Sequence, residues 1–287
     1  MDEAFDDYLI ILGKYRGNDA HVRIPSGIAT VGKRAFASNT LIESVVLPQG
    51  VRGVDAGAFE SCTALTDVSM PSSLWRIGER AFKNCLSLTH VTLGRAVSSL
   101  GEEAFRGCTT LEGVTMPESV KHLKAGCFDG CTALGYVDFP DRLLDMGPRA
   151  FRGCTALEEV WLPEGITVLE ESAFEGCTNL KLVMLPSTLR EIRARAFAKC
   201  PNLMQPALPD GVRFVDATAF ADADGDDGAA ASRAPKAAPP AGDAAASRTP
   251  SPSASDSPSA SGSPAQRART ATALPRKRGI EGAVGWE

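Results

Sequence analysis

Residues 148–163 read PRAFRGCTALEEVWLP. The same skeleton stands at 79–94 as ERAFKNCLSLTHVTLG and at 171–186 as ESAFEGCTNLKLVMLP. Working outward from these blocks, a phenylalanine returns every 23 residues without a slip: Phe36, Phe59, Phe82, Phe105, Phe128, Phe151, Phe174, Phe197 and Phe220. A constant period in this range marks a solenoid, in which each unit buries its apolar side only against the units above and below it.

The other columns say how one unit is built. Ala precedes the Phe in every turn but one, where Cys127 stands, and three residues after it comes Cys62, Cys85, Cys108, Cys131, Cys154, Cys177 or Cys200. A Leu follows three further on, from Leu65 to Leu203, and then V-x-[LMF]-P, as in Val160-Trp161-Leu162-Pro163. The segment L-x-x-V-x-L ends with the period-two pattern of a strand with one buried face. The Pro after it has no N–H to donate and ends the ladder. Strands one repeat apart run the same way, so the sheet is parallel. Two more apolar columns follow the Pro, such as Val120 and Leu123 or Ile166 and Leu169. Ala-Phe-x-x-Cys is a compact corner, too short for an α-helix. The expectation is a stack of short parallel strands with little regular helix. Nine strand positions, from Val22–Ile24 to Pro206–Leu208, span about 40 Å at roughly 4.8 Å per strand.

The ends differ from the body. Tyr8–Leu12 reads as a capping strand within an N-terminal segment 1–21, and Asn39 stands where the first ladder Cys belongs. Pro206 replaces the strand Val, which marks residues 206–208 as a weak last rung. The repeats occupy 22–220. Residues 221–287 are rich in Ala, Ser, Pro, Gly and Asp, a composition that cannot bury enough surface to offset its ordering entropy, so this tail reads as disordered. Ser251-Pro252, Ser257-Pro258 and Ser263-Pro264 suit phosphorylation, or the tail is a spacer; Arg267, Arg269, Arg276, Lys277 and Arg278 make a small basic cluster.

The blocks quoted above resemble the BspA-like (Treponema pallidum-type) leucine-rich repeat family over about residues 22–220. The resemblance implies a curved leucine-rich-repeat solenoid with a strand-lined concave face, and binding rather than catalysis. Many bacterial members of the family look like surface adhesins.

Composition narrows the function. The 287 residues carry a formal charge of −5, which does not suggest nucleic acid, since a basic face usually meets that partner. No run of 18 apolar residues suits a transmembrane helix. The opening MDEAFDDYLIILGKYRG starts acidic and lacks the basic start and long apolar core of a secretory signal, so an intracellular protein is the expectation and display at the cell surface the alternative. The eight cysteines read as reduced. Neighbours in the ladder stand about one strand spacing apart, roughly 4.8 Å, whereas a disulfide wants its Cβ atoms at roughly 3.5–4.5 Å. No His or third Cys joins Cys127 and Cys131 at zinc spacing, so neither a metal nor a cofactor is expected.

In each L-x-x-V-x-L segment the residues flanking Val point away from the core. In the C-terminal third these are Tyr136, Asp138, Glu159, Trp161, Leu182 and Met184, whereas the middle turns carry Ser69, Thr92, Gly113 and Thr115. Aromatic and aliphatic side chains beside two carboxylates have the make-up of a protein-binding hot spot; the competing reading is that Trp161 and Met184 only cover the end of the sheet. Trp75, in a loop column after the Pro, reads as a packing residue. The leading function is a non-catalytic, monomeric protein-interaction solenoid using the strand face; the alternative is a surface adhesin for host or matrix proteins. An enzyme finds no support. His21 and His90 share one column three repeats apart, His122 reads as a loop residue, and Asp138 with Glu159 reads as a solvated pair rather than a catalytic one.

Overall fold

The computed structural model describes residues 10–221, and the expectations for residues 1–9 and 222–287 lie outside them. The described chain is built of strands and turns, with no helix. In order, the strands are β1 (Ile10–Leu12), β2 (His21–Arg23), β3 (Ile28–Val31), β4 (Ser44–Val46), β5 (Gly53–Val54) and β6 (Asp67–Ser69). Then come β7 (Arg76–Ile77), β8 (His90–Thr92), β9 (Ser99–Leu100), β10 (Gly113–Thr115), β11 (His122–Leu123) and β12 (Tyr136–Asp138). The last are β13 (Asp145–Met146), β14 (Glu159–Trp161), β15 (Val168–Leu169), β16 (Leu182–Met184), β17 (Glu191–Ile192) and β18 (Phe214–Val215).

Every ladder is parallel. From β2 to β18, every laddered pair has partners one 23-residue period apart, as Val45 with Val68 and Leu169 with Ile192. The even-numbered strands up to β16 are the valine rungs that the sequence predicts. They form three ladders, β2-β4-β6, β8-β10-β12 and β14-β16. The two apolar columns after the Pro also matter more than their spacing suggests. The second of them, from Val31 through Val54, Ile77, Leu100, Leu123 and Met146 to Leu169 and Ile192, is the inward face of a second parallel sheet. That sheet runs β1-β3-β5-β7-β9-β11-β13 and continues as β15-β17-β18. Most of its strands have two residues, too short to show alternation in the sequence. β1 lies at the edge of this second sheet, beside β3.

Two expectations are corrected. His122 is not in a loop: it lies on β11, faces outward, and its Nδ1 is 2.5 Å from Asp145 Oδ2 on the next turn. The rung expected at Pro206–Leu208 does not form, so the valine column has eight strands among the described residues instead of nine. Pro206 is buried in the valine position but has no N–H with which to extend the ladder.

Between each strand of the second sheet and the next valine rung, the chain turns the Ala-Phe corner. At Phe105 the N–H groups of Glu103, Phe105 and Gly107 donate to carbonyls of the next turn, at 2.9, 2.9 and 2.8 Å. The alternate N–H groups, on Ala104, Arg106 and Cys108, donate three residues back within their own turn. This alternation demands left-handed backbone two residues before and two after each Phe. All sixteen such positions from Arg34 to Lys199 have positive φ, ten of them non-glycine.

The core follows from the columns. The Phe rings from Phe36 to Phe220 stack almost parallel, with centroids 4.9–5.5 Å apart. Tyr15 closes the N-terminal end of the stack, 5.1 Å from Phe36. All eight cysteines are buried and free. The seven in the ladder are more than small hydrophobes. Each thiol donates to the carbonyl of the Phe one turn earlier, from Cys62 to Phe36 at 3.1 Å through Cys200 to Phe174 at 3.2 Å. Where the first Cys is missing, the Asn39 side chain accepts from the N–H groups of Leu41 and Ile42 and pins the turn another way.

Candidate partner-binding face

The valine rungs bury their central residue, save β12, where Val137 is half-buried, and present the two flanking it, save β10, where Gly113 is buried. At β14 Val160 is 1% exposed, while Glu159 and Trp161 lie outside. Repetition thus produces two flanking columns whose residues vary from turn to turn. The first carries Gly113, Tyr136, Glu159 and Leu182 on successive turns; the second carries Thr115, Asp138, Trp161 and Met184.

The structure exposes the aromatic and aliphatic members of the predicted group. Trp161 is 61% exposed, Tyr136 56% and Met184 45%; Leu182 is half-buried, and Asp138 and Glu159 are exposed. The ladder between β14 and β16 sets Glu159 beside Leu182 and Trp161 beside Met184. β12 adjoins β14 with no strand ladder between them. The Phe rings beneath these two turns, Phe128 and Phe151, are 5.4 Å apart. Tyr136 does not stand upright. Its ring lies over Gly113 on the preceding turn, in the space that a Cβ there would fill. Gly113 is buried by it.

Charges around the patch are unevenly satisfied. Glu158 pairs with Lys181 at 2.8 Å, and Glu112 sits 3.5 Å from His90 Nε2. Asp138 and Glu159 have no ion-pair or side-chain hydrogen-bond partner among the described residues. The corner face is the opposite case. There Glu103 takes Arg80 and Lys83, each at 2.8 Å, and Arg106; Asp129 takes Arg152 at 3.0 Å and Arg106 at 3.3 Å; Glu175 takes Arg195 at 2.8 Å. Burial on its own would raise the Glu103 carboxyl, but hydrogen bonds from Lys83, Arg80 and Arg106 outweigh it and hold the group down to about 2.

Other features were harder to read in sequence. Trp75 is 47% exposed beside β7, so it does not pack as expected. On the outward side of the second sheet an open groove of about 350 Å³ is lined by Pro148, Glu170, Glu171, Arg193 and the exposed Phe214. Its one cation is used internally, since Arg193 reaches Glu170 at 2.7 Å and Glu191 at 3.7 Å. A cavity of about 190 Å³ lies at the last turn among Phe197, Cys200, Leu203, Pro206 and Phe220, where the missing rung leaves the stack incomplete. Among the described residues no group of His, Cys, Asp and Glu could hold a metal ion, and no helix is long and apolar enough to cross a membrane.

Two parallel sheets stacked on a 23-residue period, with a Phe and Cys core and a free strand face, define a leucine-rich repeat solenoid. The chain belongs to the family described as BspA type leucine-rich repeat region, which matches residues 17–112 and 98–225 in six copies. Among solved structures, it is similar to a leucine-rich repeat protein of Bacteroides ovatus, with 24% identity and a TM-score of 0.64. That match covers 70% of this chain and 61% of the other, so the chain spans less than two thirds of the Bacteroides protein. It is also similar to the T. pallidum leucine-rich repeat protein, with 28% identity, a TM-score of 0.51 and coverage of 68% of this chain and 82% of the other. A comparison with curated proteins finds no match.

Proposed function

We propose that the chain is a non-catalytic protein-binding solenoid, and that its partner docks on the valine-strand face around Trp161, with Tyr136, Asp138, Glu159, Leu182 and Met184. One observation carries the reading: Trp161 is 61% exposed on a framework whose equivalent positions are mostly polar, as at Ser69, Thr92 and Thr115, and hold no other aromatic. The fold does not need an indole there. Desolvating a large aromatic beside aliphatic neighbours is the usual source of binding energy at a protein interface.

Side-by-side affinity capture from the source cells, with wild type, Trp161→Ala and Ser69→Ala as baits, tests it. The expected result is a set of proteins held by wild type and Ser69→Ala and lost from Trp161→Ala, whose melting temperature stays within about 1 °C of wild type because an exposed side chain adds little to stability. Equal capture by all three baits would remove the Trp161 face from consideration.

A further inference from the structure

Resting on that docking reading, we propose that the face is built for a cation: the partner presents an Arg or Lys side chain to the group formed by Tyr136, Asp138, Glu159 and Trp161. The four residues form a checkerboard. Tyr136 and Asp138 flank Val137 on one turn, and Glu159 and Trp161 flank Val160 on the next. Glu159 therefore follows Tyr136 in the first column, and Asp138 precedes Trp161 in the second. Aromatics occupy one diagonal and carboxylates the other. Along a strand the two columns are about 7 Å apart, and the turns rise by the 5.4 Å that separates the rings of Phe128 and Phe151. A single cationic head there is within reach of Asp138, Glu159 and Trp161, while the Tyr136 ring, lying over Gly113, borders the site from the preceding turn.

Three observations favour this occupant over a purely apolar one. Both carboxylates lack a cation of their own among the described residues, while Glu158 on the same turn is paired with Lys181 at 2.8 Å. Apolar matter laid over Asp138 and Glu159 would desolvate two charges without compensation, which is costly. Aromatic faces attract ammonium and guanidinium groups, and Trp does so best. The aliphatic stem of Arg or Lys would then continue onto Met184 and Leu182, matching an apolar stem to an apolar surface.

The test uses the full chain and four fluorescein-labelled nonapeptides that differ only at the central residue, Arg, Lys, Leu or Glu, titrated at low and high salt. The expected result is binding of the Arg and Lys peptides about tenfold tighter than the Leu peptide, from one cation–π contact and two partly screened ion pairs, and none of the Glu peptide. The preference should shrink in high salt. The double variant Asp138→Asn/Glu159→Gln should bring the Arg peptide to the level of the Leu peptide, and Trp161→Ala should weaken both. Equal affinity for Arg and Leu peptides, or an Arg preference that survives the double variant, overturns the cation while leaving the docking face in place if Trp161→Ala still abolishes binding. Failure of the Arg and Lys peptides to bind, or a Trp161-dependent self-association in sedimentation that excludes them, overturns the proposal as well.

Discussion

At the residue scale, the corner makes unusual demands on the backbone. Ten non-glycine residues hold left-handed φ because the alternating hydrogen bonds require it. The conformation costs an L-residue roughly 1–2 kcal/mol, while glycine adopts it freely but gives back about 0.5–1 kcal/mol in chain entropy. Arg149, with φ 58°, is exposed and makes no ion pair among the described residues. Arg149→Gly is therefore expected to raise stability by about 0.5–1 kcal/mol, or roughly 2 °C in melting temperature. Arg149→Ala, which keeps the penalty, should give no rise, and calorimetry on the pair decides the matter. Glu103 is the instructive exception: it sits left-handed at φ 52° yet anchors three cations. Its carboxyl is lowered from 4.5 to about 2, so its contribution is complete above the unfolded value and disappears as pH falls from about 4.5 towards 2. Glu103→Gln should flatten that part of the stability–pH curve measured by urea unfolding. The thiols have the opposite shift. Burial pushes Cys62 up to about 11 and Cys108 and Cys200 up to about 12. Since the thiolate is the nucleophile, native protein at pH 8 should consume almost no thiol reagent until denaturant is added.

At the element scale, the valine rungs were legible because a three-residue strand centred on Val repeats eight times with one period and is followed by Pro in every turn but one, where Gly94 stands. Their outward columns were legible for the same reason, which is why Trp161, Tyr136 and Met184 appear on the surface where the spacing puts them. The second sheet was not. Its strands are mostly pairs, such as Ser99–Leu100, and two residues carry no periodicity; only the stacking of eight such pairs behind β1 and β3 makes them a sheet. His122 was misread with it. Contacts that cross between turns were hidden too. Nothing in a single repeat says that a Cys thiol will meet the Phe carbonyl of the turn before, or that the Tyr136 ring will lie over Gly113. The last of these can be tested. Gly113 has ordinary backbone angles, so Gly113→Ala strains no φ, but the new Cβ displaces the Tyr136 ring. The substitution should change stability by about 1 kcal/mol or less, as for a surface ring free to move, while tetranitromethane nitrates Tyr136 faster, as read by mass spectrometry. An unchanged nitration rate would mean that the ring does not rest on that glycine.

At the scale of the whole molecule, stability in a stack is a sum of nearest-neighbour terms, so the same substitution should have different consequences in the middle and at the end. Phe128 is fully buried and stacked on both faces, against Phe105 at 5.4 Å and Phe151 at 5.4 Å. Phe128→Ala removes a large buried side chain and breaks two ring contacts, at a cost of about 3–5 kcal/mol, a large share of a domain's stability. Phe220 is half-buried and stacked on one face only, against Phe197, beside the cavity left where Pro206 ends the valine sheet. Phe220→Ala should cost about half as much or less on the same reasoning. Hydrogen exchange separates the two outcomes better than a melting curve. The N–H groups of Phe197 and Lys199 donate to Ala219 and Ala221, so Phe220→Ala should speed exchange at those amides and leave Glu103 and Phe105 at wild-type protection. Phe128→Ala should speed exchange on both sides of its turn and lower the denaturant slope as the stack unfolds in two parts. If Phe220→Ala loosened the central turns as much as its own, the turns would not be energetically local. Binding at the Trp161 face would then be coupled to the state of the C-terminal end.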